Sequence, residues 1–274
     1  LLMTDDGAGA TVEELVVQNT QPTDGNLFDG MGMHIDSTGE TSFTNVWMYN
    51  NQNIAIDVHG IDVHGIDVHG LDNKIDVHGI SFDGVVVQDT QPKASDNTAG
   101  WGLLLEDGAQ VTLNRALIER SHRQGIDVHG IGTQLVASEV VVKDTQPQLS
   151  DSLWGHGLHM GDGARVELRG AIIDGSHLVG IDVHGLDGVL DAQDVTVSNT
   201  KPQASDQTFG LGMIVSQQGQ LKMVNATFDN NHTMGVWAIG EGVSLELESA
   251  SITNTRSQAS NLLGGRGLEL AAGA

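Results

Sequence analysis

The sequence predicts an all-β solenoid in which each 55-residue unit makes two rungs of parallel strand. A motif of the form Asn/Asp-Thr-Gln/Lys-Pro stands at 19–22, 89–92, 144–147 and 199–202. The differences in number between its successive threonines are 90 − 20 = 70, 145 − 90 = 55 and 200 − 145 = 55. Short segments of β-type composition alternate with Gly, Asp and Asn, and no segment sustains a helical period. Repetition at this length is typical of chains that grow by stacking rungs.

The pentad Ile-Asp-Val-His-Gly explains the longer first interval. It occurs three times in tandem over 56–70, again at 75–79, and singly at 126–130 and 181–185. The excess, 70 − 55 = 15, equals the length of three pentads. We therefore interpret 61–70 and 75–79 as inserted pentads that form excursions from the wall of a single solenoid domain, 1–274. Both ends fall inside repeats, so we expect the sequence to be part of a longer array.

The spacing of glycines indicates how each unit is divided. The step from Gly102 to Gly125 is 125 − 102 = 23, which suits one coil of three strands. The step from Gly125 to Gly157 is 157 − 125 = 32, which suits a coil with a loop. Side chains alternate between the two faces of a strand. We therefore expect Ile126 and Val128 to lie inside the coil, and Asp127 and His129 to be solvent-accessible. The same arrangement is expected to repeat one unit later, at Ile181, Val183, Asp182 and His184.

The outward positions predict two columns of acids and histidines on one sheet, with neighbours ~4.8 Å apart. His34, Asp36, Asp57 and His59 would form a square on adjacent rungs that could bind zinc, or calcium, without thiolate ligands. We expect such binding to be weak and not required for folding. The alternative is a solvated polar face whose acid–histidine pairs contribute ~0.2–1 kcal/mol each. The columns continue through further candidate ligands: Glu106, Asp127, His129, His159, Asp182 and His184.

Composition limits the possible partners. The chain has 12 Lys+Arg against 36 Asp+Glu, a formal charge of −24, which argues against nucleic acid and anionic membranes as partners. It contains no cysteine, so disulfides and thiolate metal sites are excluded. No apolar run approaches the ~20 residues of a membrane span.

Rungs that start with Gly followed by alternating apolar residues, as at 102–105, 125–128 and 157–160, resemble the right-handed parallel β-helix of the pectate-lyase-like superfamily. Within it, they look like the Gly-rich secreted and surface proteins of bacteria. The resemblance implies an extracellular or cell-surface scaffold with a structural, adhesive or ligand-binding role. Carbohydrate, another protein subunit or end-to-end self-association would then supply the partner. The pentads also resemble those of pentapeptide-repeat solenoids, but the insertion falls short of the ~20 residues in such a coil.

The same resemblance offers an enzymatic alternative, a polysaccharide lyase or glycoside hydrolase acting on the same face. Lyases of the group combine calcium-binding carboxylates with an arginine base, and neither Arg nor Lys occupies the outward columns. Hydrolases that resemble polygalacturonases have a Gly-His-Gly motif, and this chain has one at Gly155-His156-Gly157. Their Asn-Thr-Asp and Arg-x-Lys motifs have no counterpart here. We therefore expect a non-catalytic protein.

Aromatic residues recur where the loops return to the wall, at Trp101, Trp154 and Phe209. They are expected to pack the base of each loop against the solenoid. The alternative is a line of rings that stack against sugars, since aromatic side chains bury large apolar areas.

Overall fold

A computed structural model describes residues 1–5, 10–21, 30–37, 40–60 and 79–274. All the named elements in these ranges are β-strands, which confirms the predicted all-β class. In chain order they are β1 (Leu2–Asp5), β2 (Ala10–Glu13), β3 (Val16–Gln18), β4 (Met33–Ser37), β5 (Thr41–Tyr49), β6 (Ile54–His59), β7 (Ile80–Gln88), β8 (Trp101–Glu106), β9 (Gln110–Glu119), β10 (Gln124–His129), β11 (Gln134–Lys143), β12 (His156–Gly161), β13 (Arg165–Arg169), β14 (Ile172–Asp174), β15 (Val179–Val183), β16 (Val189–Gln193), β17 (Thr196–Ser198), β18 (Leu211–Ser216), β19 (Gln220–Val224), β20 (Thr227–Asp229), β21 (Met234–Ile239), β22 (Ser244–Glu248), β23 (Ser251–Thr253) and β24 (Arg266–Ala271).

The strands form two long sheets of parallel pairs, as a solenoid requires. The front sheet has the order β1-β4-β6-β8-β10-β12-β15-β18-β21-β24. The back sheet runs β2-β5-β7-β9-β11-β13-β16-β19-β22, and the short strands β14, β17, β20 and β23 continue it beside β11. Each front strand therefore pairs with the next front strand only after the chain has passed through the back sheet, so successive coils stack on one another.

The number of residues between paired positions on neighbouring front strands alternates between two values. Ile126 pairs with Leu103 and with Leu158, and the differences in number are 126 − 103 = 23 and 158 − 126 = 32. For Ile56 and Leu103 the difference is 103 − 56 = 47, which exceeds 32 by the length of the three extra pentads. The predicted excursions at 61–70 and 75–79 lie, except for Gly79, outside the described residues. No helix in the described part of the chain is long and apolar enough to cross a membrane.

The predicted inward pairs form the core. Ile126, Val128, Ile181 and Val183 are each at most 2% exposed, which confirms their side of the strand. The rings of Phe43 and Phe82 are paired in register on the neighbouring strands β5 and β7, and they stack in the core with 4.8 Å between centroids. Burial of this apolar column at ~25 cal/mol per Å² is the main favourable contribution to folding.

The Asn/Asp-Thr-Gln/Lys-Pro motif marks a corner of the coil. Its Asn/Asp residues have left-handed φ angles of 53–56° at Asn19, Asp89, Asp144 and Asn199. Asn and Asp adopt this conformation more readily than other non-glycine residues. The threonine that follows is buried at Thr90, Thr145 and Thr200 and half-buried at Thr20. The intervening rungs turn the same corner with other left-handed residues, at Asn50, Arg120 and Asn230, so the full motif recurs only on every second rung.

Candidate functional site: an acid–histidine ladder on the front sheet

Two outward columns run up the front sheet, as the sequence predicts. In the first column, His34 pairs with Asp57, and His159 pairs with both Asp127 and Asp182. In the second, His59 pairs with Glu106. Parallel pairing of neighbouring rungs therefore brings acids and imidazoles into contact, although they are distant in sequence.

Short contacts between acids and imidazoles run along these columns from His34 on β4 to His129 on β10, and we call this part the lower ladder. His34 Nδ1 lies 2.7 Å from Asp57 Oδ2. His59 Nε2 lies 3.2 Å from the same carboxylate and 2.9 Å from Glu106 Oε1. Glu106 Oε2 in turn lies 2.9 Å from His129 Nε2. Each carboxylate thus bridges two histidines, and His59 bridges two carboxylates.

The ladder continues at Asp127. Its Oδ1 lies 2.7 Å from His159 Nδ1 and 3.5 Å from His129 Nδ1. Trp101 Nε1 donates to its other oxygen at 3.1 Å. We define the ladder as these seven acid and imidazole side chains: His34, Asp57, His59, Glu106, His129, Asp127 and His159.

The prediction that these carboxylates are solvent-accessible was wrong for Asp127, which is 5% exposed. Asp57 is likewise buried, with 1% of its surface exposed. Both point outward, but imidazoles from the same rung and the adjacent rung cover them, and Trp101 also covers Asp127. Asp182 is intermediate, and the side chains of His129 and His184 are 37% and 25% exposed.

Hydrogen bonds between carboxylates and imidazoles favour the ionised forms of His59, Glu106 and His129. Bonds to Asp57 and then Glu106 raise the pKa of His59 to about 10. Asp127 and Glu106 raise the pKa of His129 to about 10 as well. Bonds from His129 and His59 lower the pKa of Glu106 to about 2. Burial would raise the pKa of Asp127, but hydrogen bonds from His129 and His159 hold it below its usual value. At neutral pH, the run His59–Glu106–His129 therefore alternates positive, negative and positive.

The structure brings together three of the four residues of the predicted square. His34, Asp57 and His59 each offer an atom within 4.8 Å of the others, the spacing of a possible metal site. Asp36 is exposed and does not belong to this group. A second group combines His59 and Glu106 with Asp107, in the turn after β8. Whether a cation binds either group stays a prediction.

A third group consists of His156, His159 and Asp182, again with ligand atoms within 4.8 Å. Sequence reasoning noted His156 only as the centre of Gly155-His156-Gly157. Strict alternation would place it inside the coil, on the side of Leu158. A Cβ on Gly157 would contact the core residue Ile173, so Gly157 and Leu158 both face inward. The alternation is interrupted there, and His156 faces outward beside His159.

Two of the aromatic residues at the loop bases share one cation. The guanidinium of Arg123 lies 4.6 Å from the ring centroid of Trp101 and 5.2 Å from that of Trp154. One face of each ring is therefore occupied by a protein side chain. This contact favours the packing interpretation for these two tryptophans; Phe209 is 38% exposed.

Arg123→Ala is expected to lower the free energy of unfolding by about 1–2 kcal/mol, because a partly desolvated cation–π contact with two rings is lost. Urea unfolding measures the change. Arg115→Ala is the matched control, since Arg115 forms a solvent-exposed pair with Asp83 at 2.7 Å and its loss should change stability much less. A larger loss for Arg115 than for Arg123 would contradict this interpretation.

The fold and the ladder together define a parallel β-solenoid with an ion-paired polar face. No family model matches the sequence, and no curated protein matches it. Among solved structures, it is similar to HetL, a pentapeptide repeat protein involved in heterocyst differentiation regulation from the cyanobacterium Nostoc sp. strain PCC 7120. That likeness has a TM-score of 0.23 and 10% identity, and covers 85% of this chain and 92% of HetL.

The A-module of the Azotobacter vinelandii mannuronan C-5 epimerase AlgE4 is also similar, with a TM-score of 0.19 and 13% identity over 97% of this chain and 87% of the module. Likenesses at these scores carry no argument about function. The assignment to the solenoid class rests on the parallel strand pairing.

Proposed function

We propose that the chain is a non-catalytic scaffold of the secreted or cell-surface kind, related to the Gly-rich proteins of the pectate-lyase-like superfamily in bacteria. The observation that carries this proposal is the ladder itself. Its acids and bases contact one another at 2.7–3.2 Å from His34 through Asp57, His59 and Glu106 to His129. Groups engaged in this way stiffen a wall and are poorly placed to transfer protons to a substrate, which requires direct or water-mediated reach.

The partner in this proposal is a neutral carbohydrate or another protein subunit, with end-to-end association as one possible mode. A formal charge of −24 repels polyuronates and other polyanions at low ionic strength. Zinc or calcium on His34, Asp57 and His59 is part of the proposal as a weak, accessory interaction. An ion there would have to displace the His59 proton, which weakens binding near neutral pH.

Incubation with polygalacturonate, alginate and neutral glucans or mannans tests the proposal. Products are detected as new reducing ends and as the ultraviolet absorbance of unsaturated uronate, and binding is measured on a glycan array. We expect no turnover of any polymer, and we expect any retained glycans to be neutral. Release of products that stops in Glu106→Gln but continues in Glu167→Gln, on the back sheet, would establish the enzymatic alternative instead.

A further inference from the structure

A buried histidine lies beneath the outer surface of the front sheet. His156 is 2% exposed, and neither of its ring nitrogens has a hydrogen-bond partner in the described part of the chain. Its Nδ1 approaches Asp182 Oδ2 at 3.6 Å, which is beyond hydrogen-bond distance. A buried polar group left without a partner destabilises the fold, because its desolvation is not compensated. Such a side chain indicates a ligand that would satisfy it.

The neighbours of His156 are themselves metal-binding side chains. His159 lies on the same strand, with its ring centroid 5.6 Å away, and Asp182 lies on the next rung. One ligand atom from each of the three falls within 4.8 Å of the others. Ligands in a tetrahedral zinc site lie about 2.0–2.2 Å from the ion, so small side-chain rotations would close this group.

A carboxylate already orients the ring of His159. Its Nδ1 lies 2.7 Å from Asp127 Oδ1, which leaves Nε2 for a metal. A carboxylate behind a ligating imidazole fixes the ring orientation and increases its basicity as a ligand.

We propose that His156, His159 and Asp182 form a binding site for one Zn²⁺ or similar transition-metal ion, with water in the fourth position. Two imidazoles and one carboxylate suit zinc, whereas calcium prefers oxygen ligands. The inference does not depend on the proposed scaffold function, since a scaffold or an enzyme could carry this ion.

Titration of the chelator-treated full chain with Zn²⁺ and, separately, Co²⁺ tests the site. Isothermal calorimetry gives the stoichiometry, and the visible absorption of bound Co²⁺ reports tetrahedral coordination. The variants are His156→Gln and Asp182→Asn, each checked for folding by circular dichroism. Gln124 pairs with His156 in the register of the front sheet, so the wall accommodates glutamine at the equivalent place on the neighbouring rung. His177→Gln is the matched control, because His177 Nδ1 already contacts the carbonyl oxygen of Thr145 at 2.9 Å.

We expect one high-affinity ion per chain in the wild type and in His177→Gln, distinct from any weaker binding at His34, Asp57 and His59. The affinity for this ion should be lower by about 100-fold or more in both site variants. Asp127→Asn should weaken binding by about 10–100-fold, as expected for a carboxylate that orients a ligating imidazole. Three results would overturn the proposal: no Zn²⁺ bound to the wild type, unchanged affinity in a folded His156→Gln or Asp182→Asn chain, or loss confined to His34→Gln and His59→Gln. If one site variant does not fold, the other decides.

Discussion

Gly157→Ala is expected to lower the free energy of unfolding by about 3 kcal/mol or more, a larger effect than any surface substitution. A Cβ at this position would lie 2.7 Å from Ser176 Oγ and 2.8 Å from the carbonyl oxygen of Gly180 on the next rung, and would also meet Ile173. The backbone of a stacked rung cannot move aside without breaking the hydrogen bonds between neighbouring strands. The glycine is therefore required by the close approach of successive coils.

Gly267→Ala is the matched control, because Gly267 occupies the equivalent position on β24. A Cβ on Gly267 would meet only Ile252, at 3.6 Å, which is ordinary van der Waals contact. Thermal unfolding should show a midpoint lower by roughly 6–12 °C for Gly157→Ala, at ~2–4 °C per kcal/mol, and little change for Gly267→Ala. Equal effects at the two positions would mean that the stacking distance does not explain the glycine.

Glu106→Gln is the second large change we expect, because it removes the carboxylate shared by His59 and His129. The pKa of each histidine is about 10 in the folded chain against 6.5 when unperturbed. A raised pKa contributes stability that is fully present below pH 6.5 and is lost as pH rises toward 10. Glu106, with its pKa near 2, contributes above pH 4.5 and loses that contribution only as pH falls toward 2.

Stability of the wild type should therefore fall from about pH 6.5 to about pH 9, and Glu106→Gln should flatten this decline. The side chains of His59 and His129 are 22% and 37% exposed, so solvent screens their ion pairs. We therefore expect the free energy of unfolding to decline by about 1–2 kcal/mol over this range. Urea midpoints across this range measure it. Glu167→Gln serves as the control, since Glu167 pairs with Arg169 at 2.8 Å and should leave the slope intact. A decline of equal slope in the Glu106 variant would contradict the ladder.

Burial of the pentad shows which part of the fold can be predicted from the sequence. The period of two assigns Ile126 and Val128 to the core, because any other register would expose them. It does not predict how deeply Asp127 is buried. That depth depends on Trp101 and His159, which are distant in sequence and meet Asp127 only when coils stack.

Identical pentads therefore have different environments. In the pentad at 56–60, the aspartate is Asp57, which contacts His34 and His59. In the pentad at 181–185, the aspartate is Asp182, which His156 and His184 approach. The sequence of one rung is the same in both places, and the neighbouring rungs decide the chemistry. The position of His156 was missed for a related reason, since the break in alternation at Gly157 depends on packing against Ile173.

Nitrogen-15 NMR of the imidazoles in the metal-free chain tests the ladder most directly. At about pH 8, His59 and His129 should show the shifts of imidazolium, while His156 should be neutral and remain so as the pH falls below 6.5. His59→Gln, His129→Gln and His156→Gln assign the signals. If His59 and His129 instead titrate near the unperturbed value of about 6.5, their ion pairs do not form in solution and the front sheet is an ordinary solvated face.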